Sequence, residues 1–171
     1  MGRAFFVGHG FRQNPGSAGS DVRGLKGFRN FKERGEWVEL RFMGEAMRHG
    51  YKVLKPWGDS GAFDVAVYFG SRIVRVQVKS TSFRFSTGYL CQLRSNSERR
   101  YTMKNIDFFA AYVIPQDAWY LIPAPLVAGK VRKECLMLFP MQRMKVNRYR
   151  YEGYREAWRL LRLKSEGGKP R

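Results

Sequence analysis

The sequence predicts an α+β or mixed α/β fold, in which one long helix is followed by a series of short strands. Residues 33–49 suit a helix, and Gly50 provides its end. Later segments are short and alternate between apolar and polar residues, which is typical of half-buried strands. The fold class follows from this order, because the helix comes first and the predicted strands outnumber the helices.

The length and composition indicate one globular domain preceded by a basic tail. The chain has 171 residues, of which 44% are hydrophobic and 15% aromatic, which suits a substantial core. Residues 1–30 are rich in Gly, Ser and Arg and follow neither a helical nor a strand period. We interpret them as a flexible basic tail, or alternatively as an arm that lies along phosphates. Residues 31–171 are then a single domain.

The charge of the chain points to a polyanionic partner. Its 32 Lys and Arg residues against 14 Asp and Glu residues give a net charge of +18, which most often accompanies nucleic-acid binding. A ribosome-associated protein or a protein of anionic membrane surfaces would share this charge. The longest apolar runs, such as residues 108–114, are too short to span a bilayer. We therefore expect no membrane segment.

The cysteine content indicates a reduced, cytoplasmic location. Cys91 and Cys135 are the only cysteines and lie far apart in the sequence. They form neither a zinc-binding spacing nor the disulfide framework of a small secreted protein.

The predicted helix carries carboxylates on its apolar side. Successive residues lie about 100° apart around a helix axis, and this places one polar stripe at Arg41, Glu45 and Arg48. The residues on the opposite, apolar side are Trp37, Leu40, Met43 and Met47. Glu36 and Glu39 fall on that side too, where an unpaired carboxylate is costly. A salt bridge at the rim is the ordinary explanation, and a functional site is the other.

The segments 63–69 and 73–80 are predicted to form a β-hairpin. Both alternate, and the two residues that connect them, Gly70-Ser71, place glycine first, as a type II′ turn prefers. This turn puts Phe69 opposite Arg72 and fixes the register of every pair before it.

Counting back along this hairpin brings three polar residues together. Asp64 comes directly opposite Gln77, and Lys79 follows two residues later on the same face. Opposite residues have Cβ atoms about 4.5–5.5 Å apart. A carboxylate and an amide oxygen suit a hard cation such as Mg²⁺ or Mn²⁺, and a lysine could hold or deprotonate an attacking water. Glu39 could supply a third oxygen ligand. The ordinary alternative is a strand pair with solvated polar residues.

The rest of the chain is predicted to add strands and a basic C-terminal helix. The remaining predicted strands cover residues 51–56, 88–94, 107–114, 118–124 and 135–140. We expect the two at 107–124 to form a hairpin and the last to be an edge strand. The helix is predicted at about residues 150–165, where arginines and tyrosines alternate. These tyrosines either stack on bases or pack on the core.

Three features together resemble the PD-(D/E)XK nuclease superfamily: Glu39, the run "GYKVLKPWGDSGAFD" and the run "RIVRVQVKS". The pattern of that superfamily is a helix glutamate, an aspartate after a short strand and loop, and a (D/E)XK strand. The glutamine variant "QVK" is similar to the subfamily that includes group I intron-encoded homing endonucleases. The resemblance covers roughly residues 33–140.

The resemblance implies a restriction-endonuclease-like core, with a mixed central β-sheet flanked by helices. It also implies Mg²⁺-dependent hydrolysis of DNA phosphodiester bonds that leaves a 5′-phosphate, with Mn²⁺ as a substitute for Mg²⁺. Asp64 matches the metal-binding aspartate, Gln77 the position that is normally acidic, and Lys79 the catalytic lysine. Glu39 matches the helix glutamate, and Glu36 is a second candidate for that metal ligand.

Other functions stay open on this sequence. Gln77 removes one negative charge from the site, so a catalytically inactive nucleic-acid-binding protein on the same scaffold is one alternative. A basic ribosome- or RNA-associated protein without any site is another. A nuclease could be of the homing, structure-specific (junction-resolving) or defence kind. Because cutting both DNA strands usually takes two sites, we expect a homodimer or a higher symmetric homo-oligomer.

Overall fold

The computed structural model describes most of the chain from residue 28 to residue 162. The described residues are 28–58, 61, 63–93, 105–127, 134–141 and 149–162. Most of the predicted N-terminal tail, residues 1–27, lies outside them. In the described part of the chain, no helix is long and apolar enough to cross a membrane.

The architecture is one helix with two sheets. Helix α1 covers Phe31–Arg48. The strands are β1 Lys52–Leu54, β2 Val65–Phe69, β3 Arg72–Thr81, β4 Arg84–Phe85, β5 Gly88–Gln92, β6 Phe108–Val113, β7 Ala118–Pro123 and β8 Cys135–Leu138. Short 3₁₀ helices cover Ile114–Gln116, Ala124–Leu126, Glu152–Tyr154 and Trp158–Arg162. The predicted α+β class is therefore confirmed.

The strands of the described residues are arranged in a mixed sheet and a smaller antiparallel one. The larger sheet has the order β1-β2-β3-β6-β7. Its strands pair antiparallel except for β3 and β6, which run parallel. The smaller sheet has the order β4-β5-β8. The prediction that β6 and β7 form a hairpin is confirmed, and β8 lies at an edge of the smaller sheet.

Helix α1 begins at a capped end and packs on the larger sheet. The Asn30 side chain accepts a hydrogen bond from the Glu33 backbone N–H at 2.9 Å, as a helix N-cap does. The buried stripe consists of Val38, Phe42 and Ala46, spaced four residues apart.

The predicted apolar side of α1 is wrong. Leu40 and Met47 are expected there, but each is 60% exposed, while Trp37 and Met43 are partly buried at the flanks. The physical reason is that apolar residues occur around much of this helix, so its pattern does not define one inner side. The side that packs on the sheet is the one with the small residues Val38 and Ala46, because these let the helix approach the sheet closely.

The register of the β2–β3 hairpin is as predicted. Phe69 pairs with Arg72, and the pairing continues to Val65 opposite Val76. Gly70 has a φ of +65° and is the only residue of the two-residue turn with a positive φ, which fits a type II′ turn. Local turn chemistry and alternation are sufficient to fix this pairing.

Two cores cover the two faces of the larger sheet. One contains the buried stripe of α1 together with the even-numbered valines of β3 and the last described segment around Trp158. The other contains the opposite faces of β6 and β7, packed against β5 and β8 of the smaller sheet. Strands β6 and β7 are therefore buried on both faces, as is common for strands next to a parallel pair.

The predicted C-terminal helix is replaced by two 3₁₀ helices, Glu152–Tyr154 and Trp158–Arg162. Between them, Arg155 forms a bridge with Tyr120 of β7, and Glu156 has a φ of +49°, which a continuous helix does not allow. The segment is bound to the sheet instead. The part of the prediction beyond residue 162 lies outside the described residues.

One buried carboxylate, Glu152, and one exposed carboxylate, Glu156, hold this segment in place. Glu152 accepts hydrogen bonds from the Tyr120 hydroxyl at 2.8 Å and the Phe139 N–H at 2.9 Å. Glu156 accepts from the Trp119 N–H at 2.6 Å and from the Trp158 indole at 2.9 Å. These bonds satisfy sheet and turn donors that a helix would have left unpaired.

The tyrosines of this segment pack on the protein rather than project from a helix. Tyr151 is buried, Tyr154 is partly buried against the same core, and Tyr149 packs on Phe139 with ring centroids 4.4 Å apart. The core-packing alternative therefore holds for Tyr151 and Tyr154.

Candidate active site

Asp64 lies directly before β2, at the end of the larger sheet, and is fixed by the neighbouring strand. Its backbone N–H donates to the Val76 carbonyl oxygen at 3.1 Å, which extends the hairpin pairing by one step. Its carboxylate oxygen Oδ2 accepts from the Val78 N–H at 2.8 Å and from the Gln77 side-chain amide. The structure thus brings Asp64 and Gln77 together, as the hairpin register predicted.

The orientation of the Gln77 amide differs from the expected one. The prediction turned the amide oxygen towards Asp64, whereas the structure turns Nε2 towards it. An N–H donor beside a carboxylate is favourable, and two oxygens facing each other without a cation would repel. Gln77 is 5% exposed, so this polar contact is enclosed by protein. Binding a cation between the two side chains requires the amide to present Oε1 instead.

The charge state of Asp64 is set mainly by burial. Burial raises the pKa of Asp64 above its ordinary value, and the nearby charge of Glu39 raises it further. The Val78 N–H, the positive charge of Lys79 and the Gln77 amide each lower that pKa, but the net shift is upward. A half-buried carboxylate with a second negative charge nearby is a position that a cation would stabilise.

Helix α1 supplies Glu39 to this end of the sheet. Glu39 follows Val38 of the buried stripe, and its side chain is only 21% exposed. Its Oε2 accepts a hydrogen bond from Lys55 Nζ at 2.7 Å. The charges of Glu36, Glu39 and Asp64 all raise the pKa of Lys55, after the leading effect of the Glu39 hydrogen bond. Three carboxylates therefore lie within electrostatic reach of one ammonium group.

The structure separates the two candidates for the helix glutamate by position. Glu36 is exposed to solvent, whereas Glu39 is half-buried and its charge acts on Asp64. Glu36 acts on Lys55, but more weakly than Glu39 does. Of the two, Glu39 has the better position for a ligand shared with Asp64.

Lys79 is on the β3 face that carries Gln77. Its charge lowers the pKa of Asp64. Burial raises the pKa of the Cys91 thiol to about 12, and the positive charge of Lys79 acts in the opposite direction by lowering that pKa. The charge of Lys79 therefore acts both on the Asp64 carboxylate and on Cys91 of β5.

The donor set fits a hard divalent cation. Two carboxylates and one amide oxygen are the kind of ligands that Mg²⁺ and Mn²⁺ prefer. Across residues 28–162, leaving out the gaps, no group of three or more His, Cys, Asp or Glu side chains could hold a metal ion. A cation at this end of the sheet would therefore need the Gln77 amide in addition to Asp64 and Glu39.

Lys55 is a residue of the site that the sequence pattern does not single out. It stands in the "KP" run between β1 and Asp64. Its position in the sequence is what could have predicted it. A lysine at the end of the strand that follows the predicted helix can reach a helix carboxylate such as Glu39. The rim salt bridge considered for Glu39 does exist, with Lys55 as the partner.

The chain has a mixed sheet, with Asp64 directly before β2 and Gln77 and Lys79 on β3. This arrangement is that of the restriction-endonuclease-like class of nucleases. A family model described as PD-(D/E)XK endonuclease matches residues 29–161, and the chain belongs to this family. The suspected relationship is therefore confirmed, and the protein is a member of a nuclease family. No curated protein sequence matches the chain.

Among solved structures, the chain is similar to a bacterial homing endonuclease, I-Ssp6803I. The two share 28% sequence identity, the match covers 77% of this chain and 93% of the other, and the TM-score is 0.65. This likeness supports the restriction-endonuclease-like core predicted from the sequence.

Proposed function

We propose that the protein is a Mg²⁺-dependent endonuclease that hydrolyses DNA phosphodiester bonds at the end of the β2–β3 hairpin. The observation that supports the proposal is the contact of the Gln77 side chain with the Asp64 carboxylate, on which the charges of Glu39 and Lys79 also act. The likeness to a homing endonuclease supports DNA as the substrate.

Asp64, Glu39 and the Gln77 amide oxygen would hold Mg²⁺, or Mn²⁺ in its place. When bound, the cation supplies positive charge that offsets charge developing on the scissile phosphate and makes a water molecule easier to deprotonate.

The protein side chains have separate roles in the proposed reaction. Water attacks phosphorus, the bond to the 3′ oxygen breaks, and the products are a 5′-phosphate and a 3′-hydroxyl that has taken up a proton. Lys79, whose charge already acts on Asp64, holds the attacking water or stabilises the negative charge of the transition state. The Val78 backbone N–H of β3 donates to Asp64 and orients its carboxylate, and this bond does not depend on which way the Gln77 amide is turned.

The amide at position 77 makes a catalytically inactive DNA-binding protein the second candidate. One carboxylate fewer than the usual pattern weakens cation binding. The test is cleavage of a randomised DNA library, including branched junctions, by the wild-type protein with Mg²⁺, with Mn²⁺ and with EDTA. We expect cleavage with either cation and none with EDTA. Binding to the library without cleavage under any of these conditions would favour the inactive alternative.

The proposed reaction on both strands of a duplex calls for two copies of the site. We expect a homodimer or a higher symmetric homo-oligomer, since each protomer would contribute one set of site residues. Sedimentation equilibrium with and without duplex DNA measures this. A monomer in both states that still makes double-strand breaks would contradict the expectation.

A further inference from the structure

The loop between β1 and Asp64 exposes a tryptophan completely. Trp57 is 100% exposed, whereas most tryptophans are largely buried because of their size. The sequence contains four tryptophans. The other three pack in the aromatic core: Trp119 and Trp158 are buried with ring centroids 6.0 Å apart, and Trp37 is partly buried with its ring 6.2 Å from that of Tyr112. Trp57 thus has no role in the core described by the structure.

The base of this loop is closed, so the tryptophan projects from a defined place. A Cβ atom placed on Gly61 would lie 3.3 and 3.4 Å from carbons of the Pro56 ring and 3.2 Å from the Phe63 carbonyl oxygen. The two limbs of the loop therefore touch at Pro56 and Gly61. Trp57 follows Pro56 directly and precedes Gly58, which has a φ of +75°. Trp57 is therefore attached directly next to the close approach of Pro56 and Gly61.

The same loop leads into the proposed active site. Lys55, two residues before Trp57, binds Glu39 at 2.7 Å. Two residues span at most about 7 Å of chain, and successive nucleotides of one DNA strand rise by about 3.4 Å. Trp57 therefore follows closely after Lys55, on whose ammonium the charges of both Glu39 and Asp64 act.

We propose that Trp57 is a DNA-contacting residue, whose indole packs against a base or base step beside the scissile phosphate. The inference rests on the proposed DNA substrate and adds the contact that positions it. An exposed indole gains from such a contact by burying apolar surface and by stacking, and proteins that bend DNA insert apolar side chains in this way. The net charge of +18 provides the attraction that brings the polyanion to this surface.

The direct test is intrinsic fluorescence in EDTA, where the proposal predicts binding without cleavage. Duplex DNA titrated into the wild-type protein should change the tryptophan emission, and the change should disappear in Trp57→Phe. Trp37→Phe is the matched control, since it removes a tryptophan that is packed in the core, and the change should persist there.

Affinity provides an independent readout. Loss of a base-stacking aromatic costs about 1–3 kcal/mol, so Trp57→Ala should weaken binding of labelled duplex DNA by about 5-fold to 150-fold. Phe31→Ala, which removes another exposed aromatic ring at the start of α1, should leave the affinity unchanged.

The outcomes separate this inference from the proposed catalytic function. Wild-type affinity in Trp57→Ala, or an unchanged emission response in Trp57→Phe, overturns the role of Trp57. Protein that binds DNA through Trp57 but cuts none keeps this inference and overturns the catalytic proposal. Protein that binds no DNA at all overturns both.

Discussion

Asp64 is half-buried and contacts three hydrogen-bonding groups of its own hairpin. Its N–H donates to Val76, and its carboxylate accepts from Gln77 and from the Val78 N–H. A buried carboxylate needs such donors, because desolvation of the charged form is costly. The negative charge of Glu39 repels that of Asp64, and the ammonium group of Lys55 offsets part of this repulsion because it attracts both carboxylates. Lysine charges therefore offset the negative charges of Asp64 and Glu39 in this part of the protein.

Replacing the amide of Gln77 by a carboxylate tests whether this residue is a ligand. In Gln77→Glu we expect tighter binding of Mn²⁺, by about tenfold, because the extra negative charge is worth about 1.4 kcal/mol or more to a divalent cation. In EDTA the same variant should melt at a lower temperature, since two carboxylates then meet at the position of the present hydrogen bond.

Isothermal titration with Mn²⁺ and thermal unfolding in EDTA measure the two effects. The matched control is Gln116→Glu, a half-buried amide that contacts the Tyr89 hydroxyl. Unchanged Mn²⁺ affinity in Gln77→Glu would argue that the residue is not a ligand.

Lys55 is expected to compete with the cation for Glu39. In Lys55→Met the ammonium is lost, Glu39 is left without this partner, and Mn²⁺ binding should tighten by about two- to fivefold, the range of a partly exposed ion pair. Lys52→Met, which removes an exposed lysine of β1, should bind Mn²⁺ like the wild-type protein. Weaker Mn²⁺ binding in Lys55→Met would mean that Lys55 supports the site instead of competing with it.

At the level of elements, the β2–β3 hairpin shows what the sequence can predict. Its register depends on a two-residue turn and on alternation of nearby residues, and both are local properties. For that reason the pairing of Asp64 with Gln77 follows from the order of the residues alone. The end of α1 at Gly50, which has a φ of +83°, follows in the same way.

Other elements depend on contacts that a local pattern does not contain. The inner side of α1 is selected by its fit to the sheet, and apolar residues occur on more than one side of the helix. The C-terminal segment has helical composition, but Glu152 and Glu156 bind donors of distant residues and divide it into two 3₁₀ helices. The short strand Arg84–Phe85 is formed by its pairing with β5. Lys55 belongs to the site only because α1 brings Glu39 next to it.

The parallel pair of β3 and β6 is stabilised by a carboxylate at its start. Asp107 accepts hydrogen bonds from the Arg75 backbone N–H at 2.8 Å and from the Arg75 guanidinium at 3.0 and 3.1 Å. Burial alone would raise the pKa of Asp107, but the bonds and charge of Arg75 outweigh it, so the pKa lies below its ordinary value of 3.8. The folded state therefore favours the ionised form.

This shift predicts a pH-dependent stability. Because the folded-state pKa of Asp107 is lowered, its contribution is fully present above the unfolded pKa of about 4 and is lost as the pH falls through the folded pKa. We expect Asp107→Asn to reduce the free energy of unfolding by about 1–2 kcal/mol at pH 7. The difference from the wild-type protein should shrink below about pH 4.

Urea unfolding at pH 7 and at acid pH measures the effect of Asp107→Asn. Asp117→Asn is the matched control, because its carboxylate is largely exposed although it also accepts bonds from an arginine and a tyrosine. It should change stability much less. A difference between Asp107→Asn and the wild-type protein that stays constant with pH would contradict the linkage.

For the whole molecule, charge is the dominant property. A chain with a net charge of +18 that follows a DNA backbone should release counterions on binding. If it contacts about 6–10 phosphates, affinity for a duplex should fall by about 10³–10⁵ between 50 and 200 mM salt. Fluorescence anisotropy of labelled DNA at several salt concentrations measures this slope. Affinity that is independent of salt would contradict a binding mode based on phosphate contacts.

The central claim is that the Asp64 end of the hairpin hydrolyses DNA, and one comparison of variants tests it most directly. Asp64 and Asp107 both accept a backbone N–H of β3, from Val78 and Arg75 respectively. The same substitution, Asp to Asn, can therefore be made inside and outside the proposed site.

The measurement is the rate of nicking of supercoiled DNA with Mn²⁺, alongside DNA affinity. We expect Asp64→Asn and Lys79→Ala to lose at least about 100-fold in rate, as expected when a general acid–base or charge-stabilising group is removed. Their DNA affinity should be largely retained, and Asp107→Asn should cut at close to the wild-type rate. Nicking by Asp64→Asn at the rate of Asp107→Asn would contradict the assignment of this site.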